Sequence, residues 1–217
     1  MKILLLGATG RTGKLVLQYA LKKGHYVVCL ARDSKRIQGT SNLTVLEGNP
    51  NNTIHLREAI KDCEAVISFL NISRISDFPW APLKTPKRYM SDVVKKLTPI
   101  CEEKKIKRLL VCSAWGVAET KKDIPFWFRW LINYSNIGIA YKDHQRQEKI
   151  IERSNLNWTI IRPSGLTNFS KPENVKESFN NTPKPSLTLS RKTLAKYLVN
   201  GITNNELIHK KVAISKA

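Results

Sequence analysis

What this chain is short of narrows it first. It holds 17 acidic residues against 37 lysines and arginines, and only 4 cysteines. No apolar run approaches the ~18 residues that a membrane-spanning helix requires. Cys29, Cys63, Cys101 and Cys112 stand far apart, without Cys-x-x-Cys or Cys/His ligand spacing. That argues against both a metal site and a disulfide framework. Cys29 and Cys112 fall inside apolar runs, where a free thiol acts as a small hydrophobe. No internal repeat and no linker interrupts the chain, so residues 1–217 are expected to form one domain with a sizeable core. The apolar start, Ile3 to Leu6, is too short for a signal h-region, and the expected location is the cytoplasm.

The scarcity of acid leaves a formal charge of +20. A surface of that sign attracts polyanions. The basic residues are nevertheless spread along the whole chain, and dense runs such as Lys104-Lys105 with Lys107-Arg108 stay short. No zinc-finger, RRM or KH pattern is present, so no specific nucleic-acid partner is expected. The charge is read as a solvated surface that also favours anionic cofactors. A monomer and a dimer are both open, and the expected partner is a small-molecule acceptor.

Strand-like and helix-like segments alternate. Lys2 to Leu6, Tyr26 to Ala31, Leu43 to Leu46, Ala65 to Leu70, Leu109 to Cys112, Trp158 to Ile161 and Lys211 to Ile214 are apolar runs of strand length. Helical patterns lie between them: one through Leu15, Val16, Tyr19, Ala20 and Lys23 with Gly24 at its end, and one over Thr53 to Lys61 with Thr53 as N-cap. Others run from Lys87 to Lys105, from Gly138 to Arg153, and from a Ser190 cap to Asn200. This order predicts an α/β fold: a single Rossmann-type, doubly wound, mainly parallel sheet with helices on both faces. Phe169 to Ser186 has no period and reads as a loop. The loops at about 72–86 and 169–186 follow strands four and six, and are expected to reach the ligand edge of the sheet as substrate lids.

Gly7-Ala8-Thr9-Gly10-Arg11-Thr12-Gly13 joins the first strand to the first helix. Gly7 suits a sharp turn, Gly10 a close approach of backbone to phosphate, and Gly13 close packing of helix on sheet. A pyrophosphate would sit at the helix N-terminus. The competing reading is a plain strand-to-helix turn without a ligand. The second strand ends Ala31-Arg32-Asp33-Ser34-Lys35-Arg36. Arg32 and Arg36 suit a ribose 2′-phosphate and Ser34 can add a hydroxyl, which favours NADP(H) over NAD(H). Asp33 comes one place late to accept the ribose hydroxyls.

The GATGRTG loop at this position resembles the atypical short-chain dehydrogenase/reductase group. Ala31-Arg32-Asp33-Ser34, Gly48-Asn49, Leu70-Asn71-Ile72, Cys112-Ser113-Ala114-Trp115, Tyr141-Lys142-Asp143-His144 and Trp158-Thr159-Ile160-Ile161-Arg162-Pro163-Ser164-Gly165 resemble one branch of it. That branch holds the NmrA-like proteins and the NAD(P)H-flavin reductases similar to biliverdin-IXβ reductase. The resemblance implies cofactor contacts at Gly7, Thr9, Gly10, Arg11, Thr12, Gly13, Arg32 and Arg36. It implies Asn49 beside the adenine, Leu70 and Asn71 beside a ribose, and Cys112, Ser113 and Ala114 beside the nicotinamide. Arg74 matches a family arginine. Trp115, His144 and Ser164 would face the substrate, with flavin as a possible one.

The Tyr-x-x-x-Lys pair of conventional short-chain dehydrogenases does not follow strand five: Tyr141 is followed at that spacing by Gln145, and Tyr134 by Gly138. Keto/alcohol chemistry by that pair is therefore not expected, whereas hydride transfer to a flat ring needs mainly stacking and orientation. His144 is the catalytic candidate, on a helix face shared with Ala140, Gln147 and Ile151; a surface or capping histidine is the bland reading. His25, His55 and His209 read as structural or solvated. Phe126 to Ile132 reads as a helix packed on the domain, with a pocket wall, a membrane-resting face or a dimer contact as alternatives. The expected function is an NADPH-dependent reductase of a flavin or similar flat acceptor. The alternative is a non-catalytic NADP(H)-binding redox sensor acting through a protein partner.

Overall fold

A computed structural model describes residues 1–169 and 173–217. In chain order the elements are β1 (Lys2–Leu6), α1 (Arg11–Lys22), β2 (Tyr26–Ala31), β3 (Leu43–Glu47), α2 (Thr53–Ala59), β4 (Ala65–Ser68), α3 (Tyr89–Glu103), β5 (Arg108–Cys112) and α4 (Phe126–Tyr134). They continue with α5 (Ile137–Glu152), β6 (Trp158–Pro163), β7 (Gly165–Thr167), β8 (Val175–Ser178), β9 (Thr188–Ser190), α6 (Arg191–Gly201) and β10 (Lys210–Lys216). Eight strands form one sheet in the order β3-β2-β1-β4-β5-β6-β10-β8. All pairings are parallel except β10 with β8.

The apolar strands are buried from both sides, and alternate residues serve two cores. Leu4, Leu6, Val28 and Leu30 pack with α2, α3 and α5 on one face, where Val93, Leu97 and Ile151 are fully buried. Ile3, Leu5, Val27 and Cys29 pack with Val16 of α1 and Leu198 of α6 on the other. Each fully buried Leu or Ile contributes about 1.5–3 kcal/mol, so the two layers fix the register of every central strand. The doubly wound expectation is met. The topology reverses between β1 and β4, and the loops leaving their carboxyl ends open a crevice there.

Local differences from the sequence reading have simple causes. Asn52, not Thr53, caps α2, its side chain accepting from the Ile54 amide at 2.8 Å. β4 stops at Ser68 because Phe69 and Leu70 turn into the crevice loop. The expected loop 169–186 contains the strand β8, paired antiparallel to β10; its polar Val-Lys-Glu-Ser sequence suits a sheet edge and hides the period. Residues 170–172 of that stretch lie outside the described residues. Ser190 caps α6 as expected, accepting from the Thr193 amide at 3.1 Å. The aromatic run is a helix, but of α4 only Ile132 is buried, so most of it is not packed on the domain.

Candidate functional site

The first turn after β1 is built to leave room. Gly7 has φ +93°, and a Cβ there would lie 2.5 Å from the Phe69 carbonyl oxygen. A Cβ on Gly13 would lie 2.0 Å from the Gly7 carbonyl oxygen, so α1 sits closer to the loop than any side chain permits. Gly10 caps α1 without a side-chain acceptor, and the first helical turn contains no acid. Its N–H groups therefore stay open to an anion, helped by the helix dipole.

In front of this turn lies a cleft of about 710 Å³. Gly7, Thr9, Gly10, Arg11 and Thr12 line it together with Arg32, Arg36, Leu70 and Asn71, so most of the expected cofactor residues converge. Gly13 does not line the cleft; its part is the close packing. Five arginines (Arg11, Arg32, Arg36, Arg74, Arg191) and Lys84 face a single lining carboxylate, Asp77. That balance suits a ligand with several phosphates. Arg11 holds Asp77 in a two-pronged ion pair at 2.9 and 3.0 Å, which ties the glycine loop to the loop after β4. The Arg32 guanidinium lies 5.8 Å above the Tyr89 ring, which also lines the cleft.

Two expected cofactor contacts are engaged elsewhere. The Ser34 hydroxyl donates to Glu47 at the end of β3, and hydrogen bonds from Ser34 hold that carboxyl below its usual range. Asn49 is exposed and its side chain accepts from the Asn51 amide at 2.9 Å, closing a turn; Pro50, not Asn49, reaches the cleft.

The cleft continues into a second cavity of about 690 Å³, sharing Phe69, Leu70, Asn71, Ile72, Arg74 and Leu166 with it. Here Cys112, Ser113, Ala114, Trp115, His144 and Ser164 come together as expected, with Phe128, Tyr141 and Thr167. The walls are mostly apolar, yet the buried hydroxyls of Ser113, Ser164 and Thr167 and the Arg74 Nε find no partner among the described residues. Buried polar atoms left unpaired cost about 1–3 kcal/mol each, and here they surround one space that a ligand would fill. Trp115 is buried and donates from its indole to Asn181 at 3.3 Å.

His144 is buried on α5, and burial pushes its imidazole down to about 4, so it is neutral near pH 7. The Gln147 amide nitrogen lies 2.8 Å from His144 Nδ1 and 3.0 Å from the Cys112 carbonyl. An amide NH2 can only donate, so Nδ1 accepts and the proton belongs on Nε2. The neighbouring Asp143 has another task. It is fully buried and accepts from the Met90 amide at 2.8 Å and from the Ser91 hydroxyl, capping α3. Tyr141 donates to the Trp115 carbonyl at 3.3 Å, and burial raises its phenol further above the normal range.

Beneath the cavity, Arg162 forms a two-pronged pair with buried Glu148 at 2.7 and 2.9 Å and reaches Glu119 at 2.6 Å. Burial alone would raise Glu119, but the hydrogen bonds and charge of Arg162 bring it down to about 2. This pair explains the arginine in the strand-six signature as a support for α5 rather than a ligand contact. The sequence reading missed Asp77, Thr167 and Arg191, which sit in a loop, at the end of the three-residue strand β7 and at the start of α6, and carry no periodic signal.

The chain matches the NAD(P)H-binding family over residues 7–205. It is 30% identical to the uncharacterized protein YwnB of Bacillus subtilis (strain 168) over 175 residues, 76% of this chain and 73% of that one. A short-chain dehydrogenase/reductase of Veillonella parvula DSM 2008, solved in complex with NADP, has a similar fold with a TM-score of 0.79 at 19% identity, covering 99% of this chain and 94% of that one. ChuY of Escherichia coli O157:H7, described as an anaerobillin reductase, gives a TM-score of 0.79 at 16% identity over 100% of this chain and 97% of its own.

Proposed function

This chain belongs to the NAD(P)H-binding family, and on that basis we propose that it is an NADPH-dependent reductase of a flavin or a similar flat electron acceptor. The observation that carries the reading is the continuity of the arginine-rich cleft with an apolar cavity holding the hydroxyls of Ser113, Ser164 and Thr167, which have no partner among the described residues.

The residues fit the cofactor. The open amides of Arg11 and Thr12 would hold the pyrophosphate, Arg32 and Arg36 the 2′-phosphate, and Leu70 and Asn71 the passage between the two spaces. Bound NADPH supplies a hydride, and a proton from water completes the reduction of the ring. What the chain contributes is placement. Ser113 and Ser164 offer hydroxyls inside the apolar cavity, Trp115 and Phe128 give flat walls for stacking, and His144 offers a fixed N–H donor. With Tyr141 held protonated and no lysine beside it, an acceptor that needs little acid–base help from the protein suits the site. The fold it shares with a reductase from E. coli is consistent with this reading.

The test is NADPH oxidation with FMN and then a quinone, beside an NADPH-binding titration on the same sample. Turnover with binding supports the proposal. Tight binding with no turnover on any acceptor would transfer the site to a redox sensor, and absence of binding to NADPH and NADH would overturn the cofactor assignment.

A further inference from the structure

One face of α4 is left uncovered by the described residues. At about 100° per residue, Phe126, Trp130, Tyr134 and Trp127 fall within an arc of about 100°. They are 75%, 51%, 66% and 56% exposed. The opposite side holds the helix to the domain through Ile132 and Phe128, packed with Trp115 and Ile124. The loop after β4 extends the exposed face. Ring centroids run from Tyr134 to Trp130 at 5.6 Å, on to Trp80 at 6.3 Å and to Phe78 at 5.4 Å. Trp80 is fixed there by its indole N–H, which donates to the Tyr134 carbonyl at 2.7 Å.

A contiguous exposed apolar face of this kind marks a binding surface. Charge says what it binds. No acidic residue occurs from Ile124 to Lys142, and Arg129 stands on the helix itself. Lys121 donates to Asn133 of α4 at 2.7 Å. A second copy of the chain would bring another +20 charge against the first. An anionic lipid surface meets both demands, with negative headgroups for the basic residues and the boundary layer in which Trp and Tyr rings settle.

We propose that the aromatic face of α4, together with Phe78 and Trp80, docks on an anionic lipid membrane. The cavity mouth lies beside this face, because Trp127 is both exposed on it and part of the cavity wall. Docking would turn that mouth toward lipid. Resting on the reductase reading, the acceptor would then be a lipid-dissolved ring of the quinone class.

The experiment is flotation with vesicles of equal parts phosphatidylcholine and phosphatidylglycerol, and with phosphatidylcholine alone, without cofactor or acceptor. Its failure is thereby separate from failure of the reductase reading. The chain is expected to float with the anionic vesicles, and the exposed double variant Phe126→Ser/Trp130→Ser to lose about tenfold in affinity with an unchanged thermal midpoint. Protein that stays behind, or binding that the double variant keeps, overturns the proposal. Equal binding to uncharged vesicles removes the charge argument and overturns it too. A dimer in sedimentation that the double variant abolishes would assign the face to a second copy instead.

Discussion

The side-chain amide of Gln147 stands between His144 Nδ1, 2.8 Å away, and the Cys112 carbonyl, 3.0 Å away. It thus joins α5 to the end of β5 at the cavity floor and leaves His144 with one free N–H. Burial holds the His144 imidazole at about 4. The folded pKa is below the unfolded one, so the unfolded chain takes the proton first as pH falls. The stability that neutral His144 confers is complete above about pH 6.5 and is lost progressively down to about pH 4, of order 3 kcal/mol in all. Thermal melts at pH 7 and pH 5 are expected to show this loss, and His144→Gln to reduce it. NADPH turnover should stay flat from pH 8 to pH 6, since His144 keeps one protonation state there; a titration near pH 7 that disappears in His144→Gln would contradict the assignment.

Gly13→Ala sets a methyl group against backbone that cannot yield, 2.0 Å from the Gly7 carbonyl oxygen. The expected cost is about 1–3 kcal/mol of stability, with a loss of cofactor binding because α1 must draw back from the loop. Urea unfolding and an NADPH titration on the same preparation measure the two effects. Gly24→Ala is the useful contrast: Gly24 lies far from the cleft, nothing lies within 4 Å of its Cβ position, and its φ of +77° predicts a backbone cost without a change in cofactor affinity.

Arg32→Ser should separate the two nicotinamide cofactors. The guanidinium is assigned to a phosphate that NADH lacks, so the Kd for NADPH is expected to rise about tenfold while that for NADH stays nearly constant. Fluorescence titrations with both cofactors check it. Equal losses for the two would move Arg32 away from the 2′-phosphate.

Asp77→Asn removes the one carboxylate lining a cleft otherwise faced by arginines and a lysine. Its ion pair with Arg11 is exposed, with side chains 61% and 80% accessible, so little stability should be lost. NADPH is expected to bind a few-fold more tightly, with the gain fading as salt is added. Weaker binding would show that Asp77 places Arg11 for the cofactor rather than competing for it.

The central sheet was legible because β1, β2, β4, β5 and β6 are buried on both faces and so are written as apolar runs. β8 was not, since an edge strand of Val175, Lys176, Glu177 and Ser178 carries no such run. Gly7 and Gly13 of the loop could be read to the residue, as steric demands at those two positions leave one amino acid. Asn49 could not: a short amide in a turn serves backbone or ligand equally well, and only geometry shows that it caps Asn51. Asp77 and Thr167 reach the site through chain connections whose paths follow from the whole fold, not from local pattern. The aromatic run of α4 reads in the sequence as a helix packed on the domain; its exposure depends on how few neighbours the loop after β4 supplies.

Asp143 and His144, adjacent in the chain, divide the cavity into parts with different freedom. Asp143 is locked onto the first turn of α3, which fixes the α5 backbone that carries His144 against a helix of the same core. The opposite wall comes from the connections after β4 and β6, which hold Arg74, Leu166 and Thr167 and are tied only by the short β7–β9 pairing and a single bridge from Arg74 to Leu83 among the described residues. Altering which ring the cavity accepts is thus a matter of exchanging its roof. The floor is a fixed fitting, shared by every ligand the roof admits.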